Sequence, residues 1–262
     1  MALRAVLIDL DDTLIVDEAV SREAFEAVGR YARDKHGAEA ERFARDAADQ
    51  AKALWQSGPC YEFCRALGIS AFECLWGRFE GEGELAKLRK WALAFREQVF
   101  DYALRQQMIE SADGSRDLAE AFSRDRRLLQ RLMPDALETM TRLSARYALG
   151  LLTNGAPDLQ REKIAASGLE SLFKEIVISG VYGLGKPRPE IFLHLTDRLG
   201  VSPREAVMVG NSLERDIDGA RNAGILAIWL KVSGSEEPAT VEPEFEINGL
   251  AELPALLERI DC

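Results

Sequence analysis

Asp9, Asp11 and Asp12 crowd together near the start of the chain and are followed by Thr13. A lone pair of aspartates at that spacing more often caps a loop or pairs with a base. Here three further groups of reactive side chains stand elsewhere. Thr153-Asn154-Gly155 follows an apolar run, Lys186 follows a loop punctuated by Gly180, Gly183 and Gly185, and Gly210-Asn211-Ser212 leads on to Asp216. Carboxylates, a hydroxyl, a lysine and an amide together suit phosphoryl transfer. The Asp9 carboxylate can attack phosphorus and so split one hard step into two. Its repulsion from the phosphate calls for a divalent cation, and hard oxygen ligands with retained waters suit Mg2+. Lys186 would neutralise the charge that remains. Thr153 and nearby backbone N–H groups would hold the phosphate, with Asn154 beside them as a further substrate contact. Asp11 could protonate the leaving alcohol, then take a proton from the water that cleaves the intermediate.

Such residues act together only if the fold collects them, and the apolar pattern says how. Leu3–Asp9 reads as a strand buried on both faces. From about Asp17 to Met133 the periodicity is helical. Phe25, Val28 and Ala32 mark one stripe, and Phe43, Ala47, Ala51 and Leu54 another. Gly37 and Gly68 fall where helices would end, and Ser70-Ala-Phe-Glu73 has the form of a capping box opening a helix through Leu75, Trp76 and Phe79. Gly81-Glu-Gly83 breaks it. Leu85, Leu88, Ala92, Phe95, Val99 and Tyr102 then recur at spacings of three and four, Ser111–Arg116 reads as a polar loop, and Leu118, Phe122 and Leu128–Leu132 carry the last stripe. Trp55, Trp76, Trp91, Phe95 and Tyr102 are expected in the core of this segment rather than on a substrate platform.

From Pro134 helices alternate with strands at Ala148–Leu152, Glu175–Ser179, Ala206–Val209 and Ile225–Leu230, and Leu250–Ile260 closes the chain as a helix. Alternation of this kind implies a parallel sheet with helices on both faces, and the first strand must join it. The expected architecture is α/β: a Rossmann-like core of residues 1–15 and 134–262, split after its first strand by an all-helical domain of residues 16–133. Open sheets of this class bind ligands at the carboxyl ends of their strands, which is where all four groups fall.

Taken in order, Asp-x-Asp-x-Thr, Leu151-Leu152-Thr153-Asn154-Gly155, Gly185-Lys186-Pro187-Arg188-Pro189-Glu190 and Met208-Val209-Gly210-Asn211-Ser212-Leu213-Glu214-Arg215-Asp216 resemble the four motifs of the haloacid dehalogenase superfamily of hydrolases. The resemblance implies Asp9 as nucleophile, Asp11 as acid/base, and Thr153 and Lys186 as phosphate ligands. It implies Mg2+ on Asp9, the Asp11 backbone carbonyl and the fourth motif, where Asn211 and Asp216 are the candidates. That motif usually begins Gly-Asp; Asn211 ligates without adding charge. Arg188 stands where the family often has Asp and reads as surface variation. The family's dehalogenases resemble this chain but lack the second aspartate, so Asp11 favours a phosphatase acting on a small phosphorylated metabolite. A phosphomutase on the same scaffold is the alternative, ahead of a 2-haloacid dehalogenase. The helical insert resembles the family's cap, which selects the substrate.

A net charge of −11 and a pI near 4.9 argue against a nucleic-acid partner, which wants a basic face. No apolar run approaches the roughly 18–20 residues of a membrane span, and the short run before Asp9 is not a signal peptide. A cytoplasmic protein is expected, with Cys60, Cys64, Cys74 and Cys262 as reduced thiols, since their spacing gives no zinc pattern. His36 and His194 lie far from any motif and receive no role.

Overall fold

The computed structural model describes residues 2–111, 113–232 and 242–261. Two compact units divide the chain. One is built from Met1–Val16 and Arg131–Cys262, the other from Asp17–Gln130.

The first unit is a six-stranded, wholly parallel sheet. Its strands are β1 (Ala5–Ile8), β2 (Ala148–Thr153), β3 (Glu175–Ile178), β4 (Ala206–Gly210), β5 (Leu226–Leu230) and β6 (Phe245–Ile247), in the order β3-β2-β1-β4-β5-β6. Every residue of β1 is buried because both of its faces are covered. The two-residue period sorts the strands between two cores. Val6 and Ile8 align with Leu149 and Leu151 on one side and Val207 and Val209 on the other, all in one apolar cluster. Ala5 and Leu7 point the opposite way, into a second cluster with Ala206 and Met208. The sixth strand was absent from the sequence expectation, because three residues give too short a pattern to read.

The second unit contains α1 (Glu18–His36), α2 (Ala40–Gln56), α3 (Tyr61–Leu67), α4 (Ala71–Cys74), α5 (Glu84–Arg105) and α6 (Gly114–Leu128). The four long helices pack as a closed ring, α1 on α2, α2 on α5, α5 on α6 and α6 on α1. Phenylalanines fill its centre, with Phe25 and Phe122 ring centroids 4.7 Å apart and Phe100 and Phe122 6.0 Å apart. Gly29 lets α1 approach α2, since a Cβ there would lie 2.4 Å from the Ala40 carbonyl oxygen.

Gly37 and Gly68 cap their helices in the left-handed conformation, and the Ser70–Glu73 capping box is formed in both directions. The helix it opens is shorter than its apolar pattern suggested. It ends at Cys74, Phe79 adopts a φ of 54°, and Arg96 and Arg127 donate to the carbonyls of Cys74, Gly77 and Trp76 that a continuing helix would have used. The Ser111–Arg116 segment is likewise not all loop, for α6 begins at Gly114. Trp76 and Phe95 are buried, whereas Leu128 and Tyr102 are exposed.

Back in the sheet unit, α7 (Ala136–Ser144) and α12 (Leu253–Ile260) cover the Val6 face, and α10 (Pro189–Leu199) and α11 (Gly219–Asn222) cover the Leu7 face. Between them in sequence lie α8 (Pro157–Ser167) and α9 (Ser179–Tyr182). The single helix expected over Ile217–Ala223 is instead a wide turn over Leu213–Asp218 that leads into α11. The chain leaves and re-enters this unit side by side. Val16 N–H donates to the Arg131 carbonyl at 3.0 Å, Met133 N–H to the Leu14 carbonyl at 2.9 Å, and Ile15 bridges Leu132 in antiparallel fashion.

Cys60, Cys64 and Cys74 are free and buried, and Cys262 lies outside the described residues. Among the described residues no helix is long and apolar enough to cross a membrane.

Candidate active site

Parallel strands bring all their carboxyl ends to one edge. Asp9 follows β1, with its backbone N–H still bonded to the Val209 carbonyl of β4 at 3.0 Å. The chain then turns sharply. Thr13, Leu14 and Ile15 all donate to the Leu10 carbonyl, and Asp12 takes a φ of 56°, a region that Asp tolerates better than most residues. The turn returns Thr13 to Asp9, so that its hydroxyl lies 3.3 Å from both Asp9 Oδ2 and Asn211 Oδ1.

Lys186 is the centre of the arrangement. Its Nζ donates to Asp9 Oδ1 at 2.5 Å and to Asp216 Oδ1 at 2.6 Å, and all three side chains are buried. Burial by itself would disfavour the ammonium, but Asp216 and Asp9 outweigh it and hold the lysine above its ordinary value. Burial pushes the Asp216 carboxyl up to about 6; Lys186 pulls it down and Asp9 adds to the rise. The other Asp216 oxygen accepts the Ser212 N–H at 3.0 Å. Gly210 makes room for it, since a Cβ there would sit 2.3 Å from the carboxylate. The fourth strand end therefore supplies Asp216 directly against Lys186, and Asn211 through Thr13.

Two carboxylates around one ammonium leave an excess negative charge in a buried place. That charge, and a donor set of Asp9, Asp216 and the Asn211 amide oxygen, fit a hard divalent cation. Among the described residues no three His, Cys, Asp or Glu side chains are placed to hold a metal ion by themselves. The donors present are thus too few for an all-protein cage and suit a cation that keeps several waters.

The sequence placed Thr153 and Asn154 on the substrate, and the geometry gives both of them partners within the protein. The Asn154 amide is engaged at both ends by the Lys186 backbone, accepting its N–H at 2.8 Å and donating to its carbonyl at 3.0 Å. Thr153 is buried, and its hydroxyl accepts from Gln160 Nε2 at 2.6 Å. Asp11 faces α8: Lys163 Nζ lies 2.9 Å from its Oδ1 and Gln160 Nε2 2.9 Å from its Oδ2. Ser179 accepts the Gly155 N–H at 2.9 Å and so fixes the loop after β2. Trp229 donates its indole N–H to the Asn211 carbonyl at 2.8 Å. Arg188 is exposed and pairs with Glu190.

Gln160, Lys163 and Ser179 were not among the residues singled out from sequence. Nothing in the local sequence marks Gln160 and Lys163 as buried, because only Leu159 and Ile164 among the buried residues of α8 are apolar and no clear apolar stripe sets an inward face. A surface cavity of about 540 Å³ lined by Ile164, Ile176, Tyr182, His194 and Arg198, among others, includes none of the polar side chains described above at the site.

The fold and this rim define a Rossmann-like α/β core with two aspartates and a lysine buried together at the carboxyl ends of its strands. A family model of the haloacid dehalogenase-like hydrolases matches residues 3–224. The chain is 42% identical over 252 residues to a phosphoserine phosphatase of Thermus thermophilus, which covers 96% of this chain and 98% of that one. It is 45% identical over 140 residues to N-acylneuraminate-9-phosphatase of Mus musculus, a match spanning 52% of this chain and 56% of that relative. A magnesium-bound haloacid dehalogenase-type hydrolase of Bacillus subtilis, YfnB, shares the fold with a TM-score of 0.65 at 23% identity, over 98% of this chain and 99% of that one. The protein belongs to the haloacid dehalogenase-like hydrolase family.

Proposed function

We propose that the protein is a Mg2+-dependent phosphomonoesterase that works through an aspartyl-phosphate on Asp9, with phosphoserine as the first substrate to test. The observation that carries the reading is the Asp9 carboxylate held at the end of β1 between Lys186 Nζ and the Thr13 hydroxyl. A nucleophile needs a fixed direction and a stabilised anionic form, and these two donors supply both. Phosphoserine is suggested by the relative that matches along nearly the whole chain.

In the first step an Asp9 oxygen attacks phosphorus while the bond to the ester oxygen breaks, and Asp11 gives that oxygen a proton. In the second step water attacks the same phosphorus, Asp11 takes the water's proton, and the Asp9 carboxylate leaves. Lys186 faces the charge that builds on the phosphoryl oxygens. Asn154 fixes the backbone from which that lysine projects, and Thr153 lines the phosphate side of the rim. Asp9, Asp216, Asn211 and the Asp11 carbonyl would hold Mg2+, whose bound charge supplies electrostatic relief between nucleophile and phosphate.

The test is hydrolysis of a panel of phosphate esters, phosphoserine and p-nitrophenyl phosphate included, with Mg2+ and with chelator. Turnover of a phosphomonoester that needs Mg2+ and disappears in Asp9→Asn is expected. No turnover of any ester, or substantial activity in Asp9→Asn, would overturn the reading.

A further inference from the structure

Gln160 and Lys163 are three residues apart on α8 and so project from one face of the helix. Both are fully buried. Their polar ends converge on one carboxylate, with Lys163 on Asp11 Oδ1 and Gln160 on Asp11 Oδ2, each at 2.9 Å. The same Gln160 nitrogen also donates to Thr153 Oγ1 at 2.6 Å. One amide thus joins the segment after β1 to the end of β2. A carboxylate on one side and a hydroxyl on the other want donors, so the amide nitrogen must face them. Its oxygen is then left buried with no hydrogen-bond partner.

A tie serving only to anchor α8 would not need this. Apolar side chains fill such a position at lower cost than a buried ammonium and a half-satisfied amide. What the two side chains have in common is Asp11, one on each of its oxygens. A carboxylate with a donor on each oxygen from one rigid helix face loses the freedom to rotate about its own axis.

We infer that Gln160 and Lys163 are positioning residues for the proton transfers of Asp11, fixing that carboxylate relative to Thr153 and the phosphate beside it. The inference rests on the acid/base role given to Asp11 above. Neither residue carries the transferred proton; they set where Asp11 stands when it gives and takes one.

The experiment exploits the leaving group. Nitrophenolate leaves without a proton, whereas the alkoxide of an alkyl phosphate such as phosphoserine needs one. For Lys163→Met, kcat/KM on the alkyl ester should fall by about 10–100-fold while that on p-nitrophenyl phosphate changes by less than about threefold. In an Asp11→Asn background the same substitution should cost nothing further on the alkyl ester. Equal losses on the two esters, an additive loss in the Asp11→Asn background, or no loss at all would each overturn the inference. Gln160→Leu, which keeps the ion pair, carries the same pattern of expectations should Lys163→Met fail to fold. The parent reading is checked separately in the unsubstituted protein. If that protein hydrolyses no ester of the panel with Mg2+, the phosphatase reading falls; if it hydrolyses p-nitrophenyl phosphate and an alkyl ester of the panel and only the leaving-group pattern fails, the positioning role alone falls.

Discussion

In the helical unit the buried polar side chains serve the local backbone and one another, while in the sheet unit several of them gather about the carboxylates that follow β1. Glu73 completes a capping box, and Arg126 holds Asp17 and Ser21 across the bundle. In the sheet unit Thr13 and Lys186 reach Asp9, Asp216 reaches Lys186, and Asn154 holds the Lys186 backbone. Burying a polar group is costly in either place unless it is paired. Pairing by itself therefore does not mark a site. What separates the two units is that one network contains two carboxylates competing for one cation, a charge imbalance that a purely structural network avoids. Arg126 pairs with Asp17, whereas Asp9 and Asp216 both face the one Lys186 ammonium.

The contrast can be broken most sharply at Asp9. Asp9→Asn keeps the shape and removes the nucleophile, and turnover should fall by at least about 10⁴-fold in a steady-state assay. Residual activity near that of the unsubstituted protein would reduce the network to a structural one. Lys186→Met should lower kcat by about 10²–10³-fold. It leaves Asp9 and Asp216 facing each other, so Mg2+ should raise its melting temperature by more than it raises that of the parent. An equal rise in both proteins would mean that the lysine and the cation do not answer the same charge.

The imbalance also has a pH signature. The Asp216 carboxyl titrates at about 6 in the folded protein against an ordinary 3.8. The folded state therefore binds a proton that the unfolded chain has released between those values. In Mg2+-free buffer this group favours folding most below about pH 4 and loses that contribution as pH rises through about 6. Mg2+ should stabilise the protein more at about pH 7.5 than at about pH 5, as read by calorimetry. The same increment at both would place the cation away from Asp216. The smallest effect is expected in the other unit. Arg126→Met should lower stability to urea by about 1–3 kcal/mol, with turnover of p-nitrophenyl phosphate per folded molecule changed by less than about twofold. A large fall in turnover there would erase the distinction between the units.

Much of the sheet could be read from sequence because parallel strands buried on both faces announce themselves as apolar runs. Ala5–Ile8 and Ala206–Gly210 are of this kind. Asp9, Thr153, Asn154 and Asn211 stand out for a related reason, since each lies at or directly after the end of such a run, whereas Lys186 and Asp216 lie further on in the segments that follow β3 and β4. Gln160 and Lys163 do not stand out, because a glutamine and a lysine on a helix ordinarily face water and only the third dimension says otherwise. Phe245–Ile247 escaped through shortness. The end of the helix opened by Ser70 escaped because Arg96 and Arg127, distant in sequence, take up the carbonyls of Cys74, Gly77 and Trp76. The sequence reads Asn154 as a substrate contact; its bracketing of the Lys186 backbone rests on hydrogen bonds across 32 positions that no local pattern reveals.

The short antiparallel pairing of Leu14–Val16 with Arg131–Met133 means that the sheet unit meets its insertion as a two-stranded stem. A stem fixes the distance between the ends of whatever it carries. Because closing a longer loop adds only a logarithmic entropy cost, the segment beyond the stem is free to grow, shrink or be exchanged in evolution without disturbing the register of β1. The same property offers an engineering handle. Segments grafted between Val16 and Arg131 would inherit that ready-made anchorage.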